Sequence, residues 1–573
     1  MSVPERRLAP GYYLDNFETV LDDVEKRQSR FLREEERTFL AGFRGLGLDA
    51  RRLYVPLLTR KGPWFRVDDL EYEEIDRDAA LAELVTAGFS ELAGRDAISD
   101  RIEWMTREEL RDWLRELGLR APATSRRDAL ANACRKAAAD PGLAERLAQR
   151  IALVRLQRSE VLRVFRLLFF GNLGQDWTEF VLRDLGILRF EAVPIAEDAS
   201  AFPSREALDE NLALREHAEA TERALAAGDL AAAVAIAERV AAQQWSAPSR
   251  RRVDAVLLPV ARELERRGEV SRALALYAAA ESPPARERQA RLLAARGGLA
   301  EAARLCRQIA ADPRDESERV FAGSFGARLE SRRGGGRSTR RRVLAPDERI
   351  LRVRPASKLS LERDAGSCEP MVPSDSVARP DSSEGAALAA LRAEGYHGFF
   401  AENWLWRALF GLAFWDIVYA PVPGAFLHPF QWGPRDLYDG FRAARAERIE
   451  ERLSELATRS DLLPLLALWE RKRGTAAALV AFDARLRPDL ELALRTLSGA
   501  ELAAVCDRLS RDLRRYGCGL PDLFLTHPER ERLLLAEVKA PGDELRPEQR
   551  GWLAHFAECG IPATVLRLEW ESS

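Results

Sequence analysis

Two acidic residues and a lysine near the C-terminus have the types and the spacing of a hydrolytic metal site. An apolar run over 533–536 predicts a buried strand that ends in Glu537, Val538 and Lys539. Because side chains alternate along a strand, Glu537 and Lys539 face one side of the sheet and Val538 faces the other. A strand that begins at Asp522 pairs with the first as a hairpin and brings its carboxylate beside them. Two carboxylates and a lysine on one face predict a hard-oxygen site for Mg²⁺ or Mn²⁺.

Phosphodiester hydrolysis needs what such a site supplies. A divalent ion neutralises charge on the phosphate and lowers the pKa of a bound water, and a fixed cation orients the nucleophile. The alternative is a plain salt bridge between Glu537 and Lys539 on an exposed strand. We favour the catalytic interpretation because these charges follow an apolar run, where unpaired charge is costly. Lysine is also rare here, since only six of the 88 basic residues are lysine.

The composition limits the classes of protein that can carry this site. With 573 residues the chain is too long for one core, which predicts roughly three or four domains. No apolar stretch reaches membrane-spanning length, and the start has no signal core. The six cysteines include no CxxC pair and the five histidines are scattered, which argues against a disulfide framework or a zinc site. Free thiols in a reducing cytoplasm are therefore the default expectation.

The periodic patterns predict a multidomain, mostly α-helical fold that ends in an α/β domain. Residues 1–100 are predicted to form an N-terminal helical region, in which Arg60-Lys61-Gly62 is a basic turn. The formal net charge of −3 gives no global basic signature, so binding to nucleic acid would depend on such local clusters. The turn is either a solvated loop or a contact to a DNA phosphate, and the sequence leaves both open.

A short helical hairpin is predicted over 101–140. Residues 106–109 read Thr-Arg-Glu-Glu, a capping box that begins one helix, and Gly118 ends that helix. Arg126 and Arg127 lie at the start of the second helix. The hairpin resembles a SAP module, which implies DNA binding through such arginines. A plain helical hairpin is the alternative.

A helical connector over 141–205 leads to a repetitive segment over 206–330. Here Gly228, Gly268 and Gly298 each precede a helix rich in small residues. A glycine turn followed by such a helix is typical of tetratricopeptide-like helix pairs. Arrays of this kind are mostly scaffolds or binding surfaces, and their protein partners cannot be read from the sequence.

The last two segments are a predicted linker and the domain that carries the acidic residues. Residues 331–385 contain an arginine–glycine run and a Ser/Pro-rich stretch, which predict a flexible linker. An electrostatic tether to DNA is a secondary interpretation. In the domain over 386–573, Glu402 precedes a strongly apolar helix. Glu402 is either a simple partner of the helix dipole or a carboxylate held at the edge of a core.

The C-terminal motifs resemble those of known nucleases. Pro521-Asp522 together with Glu537-Val538-Lys539 matches the PD-(D/E)xK signature of restriction-endonuclease-like nucleases. The wider phrases over 519–523 and 537–543, followed by Gln549, resemble the VRR nuclease domain. Upstream, the phrases over 414–417 and 420–431 resemble the bacterial branch of the Fanconi-associated nuclease family. The order of the segments also matches, so the resemblance covers nearly the whole chain.

The resemblance implies a structure-specific DNA nuclease that uses Mg²⁺ or Mn²⁺. It would hydrolyse phosphodiester bonds at 5′ flaps, degrade DNA in the 5′-to-3′ direction and act in the repair of interstrand cross-links. The implied metal ligands are the carboxylates of Glu402, Asp522 and Glu537 and the carbonyl of Val538. Lys539 would orient or activate the attacking water.

The resemblance also implies roles outside the metal ligands. Gln549 would hold the lysine or the scissile phosphate, which completes the predicted catalytic set. The predicted DNA contacts are Arg60, Lys61, Arg126 and Arg127. Pro56 departs from the family pattern, which has a basic residue there, and so puts one phosphate contact in question.

Two other functions are weaker alternatives. A Holliday-junction-resolving endonuclease of the same superfamily acts as a symmetric dimer on four-way junctions, whereas the long N-terminal arm predicts a monomer with one active site. A non-catalytic DNA-binding scaffold would bind DNA tightly without metal-dependent hydrolysis, and the intact acid–lysine set argues against it. The resemblance thus implies branched or flapped DNA as the partner and a cytoplasmic protein that associates with the nucleoid when it is on DNA, and no membrane is expected.

Overall fold

The computed structural model describes residues 11–570, apart from 61, 71, 73, 95, 121–123, 138–140, 176–177, 333–346, 354–381 and 531. The chain divides into two compact units. The first comprises Met1–Leu188 and Glu197–Arg205, and the second comprises Arg189–Ala196 and Glu206–Ser573. Within the described ranges, no helix has the length and apolar character needed to cross a membrane.

The first unit is mainly helical. Its described helices are α1 (Tyr12–Gln28), α2 (Glu34–Gly45), α3 (Leu48–Thr59), α4 (Arg77–Thr86), α5 (Ile98–Trp104), α6 (Arg107–Glu116), α7 (Arg127–Ala137), α8 (Pro141–Arg150), α9 (Val161–Phe170) and α10 (Thr178–Asp184). Three short strands, β1 (Phe65–Arg66), β2 (Ser90–Leu92) and β3 (Leu153–Leu156), form an antiparallel sheet in the order β1-β3-β2. This sheet was not predicted, because each strand is too short to show a two-residue period.

The core of this unit is rich in aromatic rings. Phe39 packs against Phe43, Tyr54, Phe89 and Phe165, with ring centroids 5.5 to 6.3 Å apart. The rings come from helices α2, α3 and α9 and from the segment before β2. They therefore hold elements that are distant in sequence around one apolar centre.

The predicted helical hairpin is formed by α6 and α7. Thr106 Oγ1 accepts a hydrogen bond from the Glu109 backbone N–H at 3.2 Å, and a Glu109 carboxylate oxygen accepts from the Thr106 N–H at 2.7 Å. This confirms the predicted capping box. Leu110 and Trp113 of α6 pack in one core with Leu130 of α7, so the apolar stripes of the two helices face each other.

The helical array of the second unit has seven helices in the described chain. They are α11 (Arg205–Ala226), α12 (Leu230–Ala242), α13 (Arg250–Arg266), α14 (Val270–Ala279), α15 (Ala285–Ala295), α16 (Leu299–Ala311) and α17 (Glu316–Arg332). Successive helices from α12 to α17 pack against each other. Helices α12, α14 and α16 begin one or two residues after Gly228, Gly268 and Gly298, as the repeated phrase predicts.

The C-terminal part of the second unit is built around a five-stranded mixed sheet. Its strands are β4 (Asp347–Val353), β5 (His397–Phe400), β6 (Leu523–Thr526), β7 (Leu534–Lys539) and β8 (Ala563–Trp570), in the order β4-β8-β7-β6-β5. Strand β8 is parallel to β4 and β7, whereas β6 is antiparallel to β5 and β7. The described helices here are α18 (Ser383–Ala393), α19 (Trp404–Ala413), α20 (Trp415–Val418), α21 (Ala446–Thr458), α22 (Leu463–Lys472), α23 (Arg487–Thr496), α24 (Gly499–Arg511), α25 (Leu513–Tyr516) and α26 (Pro547–Cys559).

The two faces of this sheet are covered by different cores. On one face, Leu523, Ala536 and Val538 pack with residues of α18. On the other face, Phe524 and Leu535 pack in the large core that includes residues of α19, α24 and α26. Odd-numbered residues of β7 therefore point to the second core, and this alternation places the side chains of the candidate site.

One part of the predicted linker is a strand. Residues 347–353 form β4, which pairs with the whole of β8, so the linker prediction over 331–385 is wrong for these residues. The strand escaped prediction because it lies at the sheet edge and exposes charged side chains. Ile350 is 62% exposed, whereas Leu351 and Val353 are buried. Most of the remaining segment lies outside the described residues.

Candidate active site

The candidate site lies where the ladder between β6 and β7 ends. The last backbone pair in register is Leu523 with Ala536. Beyond this pair, a side chain links the two strands, because Asp522 Oδ2 accepts a hydrogen bond from the Val538 N–H at 2.7 Å. The Asp522 carbonyl accepts from the Ala401 N–H at 2.7 Å. Asp522 is therefore fixed to the chain on both sides of β6.

Glu537 and Lys539 lie on one face of β7, and Val538 packs in the opposite core, as the strand pattern predicts. The Lys539 Nζ donates to Glu537 Oε1 at 2.6 Å. Only 1% of the Glu537 side chain and 11% of the Lys539 side chain are exposed. Because Asp522 is on the same face as Phe524, the structure brings both acids and the lysine together at the second core.

Gln549 joins this group from the first turn of α26. Its Oε1 accepts from the Arg546 backbone N–H at 2.8 Å, and its Nε2 donates to Glu537 Oε1. The side chain thus caps its own helix and holds the carboxylate. The family resemblance assigns Gln549 to the lysine or the phosphate, whereas in this structure its partner is Glu537.

Glu402 lies in the turn between β5 and α19, two residues before the helix begins. Its carbonyl accepts from the Trp404 N–H at 2.5 Å, and its carboxylate accepts from Asn403 Nδ2 at 3.4 Å. Asn403 has a φ of +57°, a left-handed conformation that is strained for most side chains. This tight turn leads the chain from β5 into α19. It lies next to Asp522, because Phe400 at the end of β5 pairs with Leu523 of β6.

Burial and nearby like charges raise the pKa values of the acids in this group. Burial is the main cause that raises the pKa of Asp522 well above its ordinary value, and the charges of Glu537 and Glu402 add to it. Burial also raises the pKa of Glu537, against the opposing effect of Lys539. Glu402 is exposed as a whole residue, yet the protein atoms packed around its carboxyl group are the largest cause that raises its pKa. The charge of Glu384 is the second cause. Burial and neighbouring like charges therefore both disfavour the charged forms of these acids.

Glu384 is a carboxylate of the site that sequence reasoning missed. It lies in the first turn of α18, where Ser382 caps the helix by accepting from the Gly385 N–H at 3.1 Å. Its charge contributes to the raised pKa values of Glu402, Asp522 and Glu537. The cap predicts a helix start, but nothing in the sequence connects that helix end with the strands more than 100 residues later.

The donor set fits a divalent cation. Oε2 of Glu537 is buried and has no hydrogen-bond partner, and such an oxygen is costly unless a cation or donor meets it. The available ligands are carboxylate oxygens, which suit Mg²⁺ and Mn²⁺. In the part of the chain that the structure describes, no three Asp, Glu, His or Cys side chains already converge on one metal position. The metal-ligand roles of Glu402, Asp522, Glu537 and Val538 stay predictions.

The predicted DNA contacts lie in the first unit. Arg60 donates to the Tyr72 hydroxyl at 3.1 Å and lies over its ring, whereas Lys61 is outside the described residues. Arg126 is exposed. The Arg127 guanidinium donates to the carbonyls at the end of α5, including that of Glu103 at 2.6 Å, so this arginine also holds the hairpin together. The roles of all four in DNA binding stay predictions.

Two family models match the chain and define its class. The model "FAN1, HTH domain" matches residues 11–91, and the model "VRR-NUC domain" matches residues 458–570. The second match contains β6, β7, α26 and β8, and with them Asp522, Glu537, Lys539 and Gln549. The protein is therefore a nuclease of the VRR-NUC type. The first match falls within residues 1–100, which we predicted to form a helical DNA-binding region, and it identifies a helix-turn-helix domain there.

Similar proteins extend over nearly the whole chain. The Pseudomonas aeruginosa Fanconi-associated nuclease 1 homolog is 32% identical over 569 residues, which cover 98% of this chain and 96% of that protein. The Arabidopsis thaliana homolog is 28% identical over 97% of this chain and 67% of its own length, and mouse Fanconi-associated nuclease 1 is 27% identical over 97% and 62%. The chain belongs to the Fanconi-associated nuclease 1 family.

Solved structures agree with this assignment. A structure of paFAN1 bound to DNA with a 2-nucleotide 5′ flap and a gap matches 99% of this chain and 100% of its own, with a TM-score of 0.81 and 28% identity. A second, with a 1-nucleotide 5′ flap, has a TM-score of 0.77. The predicted fold class is confirmed, with a mostly helical chain and a C-terminal α/β nuclease domain.

Proposed function

We propose that this protein is a divalent-metal-dependent DNA nuclease that cleaves the strand carrying a 5′ flap. The observation that carries the proposal is the joint placement of Asp522, Glu537 and Lys539 on one buried face of the sheet. The likeness to a flap-bound relative over nearly the whole chain supports the choice of DNA substrate. Degradation in the 5′-to-3′ direction and a role in interstrand cross-link repair belong to the same proposal.

The acids would hold Mg²⁺ or Mn²⁺. Asp522, Glu537 and Glu402 would be the carboxylate ligands, with the Val538 carbonyl as a further ligand. Such an ion would stabilise negative charge on the phosphate and make a nearby water more acidic. The buried Oε2 of Glu537, which has no hydrogen-bond partner, would gain most from this cation. Binding would also offset the repulsion that, in addition to burial, raises the pKa of Asp522.

Lys539 and Gln549 would position the reacting groups. Lys539 has its aliphatic stem buried and its Nζ on Glu537 Oε1, so its ammonium group is aimed at the ligand rather than at solvent. From there it would orient the attacking water and support the negative charge that develops on the phosphate. The Gln549 amide shares the same carboxylate oxygen, and so it would fix the orientation of Glu537 while the substrate binds.

The proposal is tested by cleavage of end-labelled 5′-flap, nicked and duplex DNA, with Mg²⁺, with Mn²⁺ or with EDTA. We expect metal-dependent cleavage by the wild-type chain, with the flap preferred. Asp522→Ala should abolish cleavage and leave flap binding largely intact. Asp543→Ala is the matched control, because Asp543 lies exposed in the turn after β7. Cleavage by Asp522→Ala at the wild-type rate contradicts the proposal.

The same assay addresses the two alternatives. A junction-resolving enzyme would cut a four-way junction symmetrically and in preference to the flap. A non-catalytic scaffold would bind both substrates and cut neither at any metal concentration. The flap-bound relatives and the VRR-NUC match favour the nuclease that acts on flaps.

A further inference from the structure

The last helix of the array lies against the helix that carries Gln549. Helix α17 packs on α26, and Glu316 of α17 lies against Gly551 of α26. Glu316 is 3% exposed. A Cβ atom placed on Gly551 would lie 2.8 Å from Glu316 Oε1, so the carboxylate rests directly on the backbone of α26. A larger residue at position 551 would have to displace this carboxylate or move the two helices apart.

Two arginines hold the Glu316 carboxylate in this position. Arg319, one turn later in α17, donates from Nε at 2.9 Å. Arg515 of α25 lies 3.7 Å away through its Nη2 and also donates to the Pro313 carbonyl at 3.5 Å. A buried carboxylate with charged partners on both sides has little freedom to move. Glu316 therefore limits how closely α26 can approach α17.

Helix α26 and the segment before Asp522 form one packed block. The Trp552 indole N–H lies 3.1 Å from the Tyr516 carbonyl and 3.2 Å from that of Cys518. At Gly519, a Cβ would lie 2.6 Å from the Glu548 Cβ. Because α26 contacts this segment on one side and Glu316 on the other, a shift of α26 would move Gln549 and disturb the approach to Asp522.

We propose that Glu316 is a positioning residue for the nuclease site, an inference that rests on the proposed function. It holds α26 at the distance at which the Gln549 amide reaches Glu537. Gln549 lies two residues before Gly551, in the first turn of α26, where fewer helical hydrogen bonds restrain the chain. The helical array thus contributes to the rate of cleavage through the position of α26, in addition to any contact that it makes with DNA.

The test is a double-mutant cycle on the full-length protein with the 5′-flap substrate. Gly551→Ala pushes α26 away from Glu316, and Glu316→Asp withdraws the carboxylate. We expect each single change to lower kcat about ten- to a hundredfold while KM changes by less than about threefold, because misplacement by about 1 Å costs rates of this order. The combined variant should recover most of the lost kcat. Gly323→Ala is the matched control, since it adds a Cβ to α17 where no atom lies within 4 Å.

The outcomes separate this inference from the proposed function. A wild-type chain that cuts no DNA with any metal removes the proposed function and the inference with it. If the wild type is active but both single variants keep its kcat, the inference alone is overturned. The same holds if the single variants change only KM. It also holds if the combined variant has a kcat no higher than that of Gly551→Ala. If Gly551→Ala fails to fold, Glu316→Asp decides by the same split of kcat against KM.

Discussion

Substitution of Gly519 by alanine should disturb both the stability and the activity of the nuclease domain. Gly519 has a φ of +78° and lies in the segment that leads to Asp522. A Cβ there would lie 2.6 Å from the Glu548 Cβ, 2.9 Å from the Glu548 carbonyl carbon and 3.0 Å from the Gln549 nitrogen. Two of these three atoms belong to the backbone of α26, so rotation of a side chain cannot relieve the contact.

The size of the effect follows from two separate costs. A left-handed conformation costs an L-residue about 1 to 2 kcal/mol, and overpacking against a rigid neighbour costs about 1 to 3 kcal/mol. The sum is a destabilisation of roughly 2 to 5 kcal/mol. Gly560→Ala is the matched control, because Gly560 has a φ of +70° at the end of α26 and no atom within 4 Å of the added Cβ. It should show the first cost alone.

Hydrogen exchange measured by mass spectrometry is suited to this comparison, because it reports the opening free energy of the peptide over 547–559 directly. Gly519→Ala should lower that free energy by about 1 to 3 kcal/mol more than Gly560→Ala. It should also lower kcat on the flap substrate, because the clash lies next to Gln549, whereas Gly560→Ala should leave kcat unchanged. Equal destabilisation by the two changes would refute the reasoning about the contact between Gly519 and α26.

Three further predictions concern charge. Asp522→Asn should raise the midpoint of thermal unfolding in EDTA more at pH 8 than at pH 5. The folded-state pKa of Asp522 is raised, so the wild type loses stability as the pH rises above the ordinary carboxyl pKa. Mg²⁺ should reduce the difference in midpoint between the variant and the wild type. Burial raises the pKa of Asp489 to about 6 from 3.8, so stability is lost between about pH 4 and pH 6. The full shift corresponds to about 3 kcal/mol, and solvent screening of this partly exposed carboxyl reduces the effect. Asp489→Asn should therefore be more stable than the wild type by about 1 to 2 kcal/mol at pH 7.5 and equally stable at pH 3, as measured by thermal unfolding. Arg60→Ala should lower the salt slope of flap binding by about one unit, whereas Tyr72→Phe, which keeps the cation, should not; an unchanged slope removes Arg60 from the DNA contacts.

The catalytic hairpin could be predicted because its signals are local. An apolar run and the two-residue period place Glu537 and Lys539 on one face of β7, and the strand just before β7 in sequence places Asp522 beside them. Helix starts were predictable for the same reason. The capping box at Thr106 and the glycine turns before α12 and α14 depend only on residues within a few positions of each other.

The features that escaped prediction depend on distant parts of the chain. Strand β4 pairs with β8, more than 200 residues later, and no local period marks a strand whose outer side chains are charged. The charge of Glu384 reaches Asp522 only because α18 packs on the same sheet. Gln549 follows Glu537 by 12 residues, yet its hydrogen bond to that carboxylate depends on where α26 is held by Gly519 and Gly551.

The choice of lysine at position 539 has a physical reason in this structure. Elsewhere in the second unit, two buried acids are matched by arginine, Glu318 by Arg286 and Glu316 by Arg319. An arginine fork can donate to both oxygens of a carboxylate at once. The single ammonium group of Lys539 instead donates to Oε1 of Glu537 and leaves Oε2 without a partner. In a chain where only six of the 88 basic residues are lysine, this difference keeps one carboxylate oxygen available for the cation that the proposed chemistry requires.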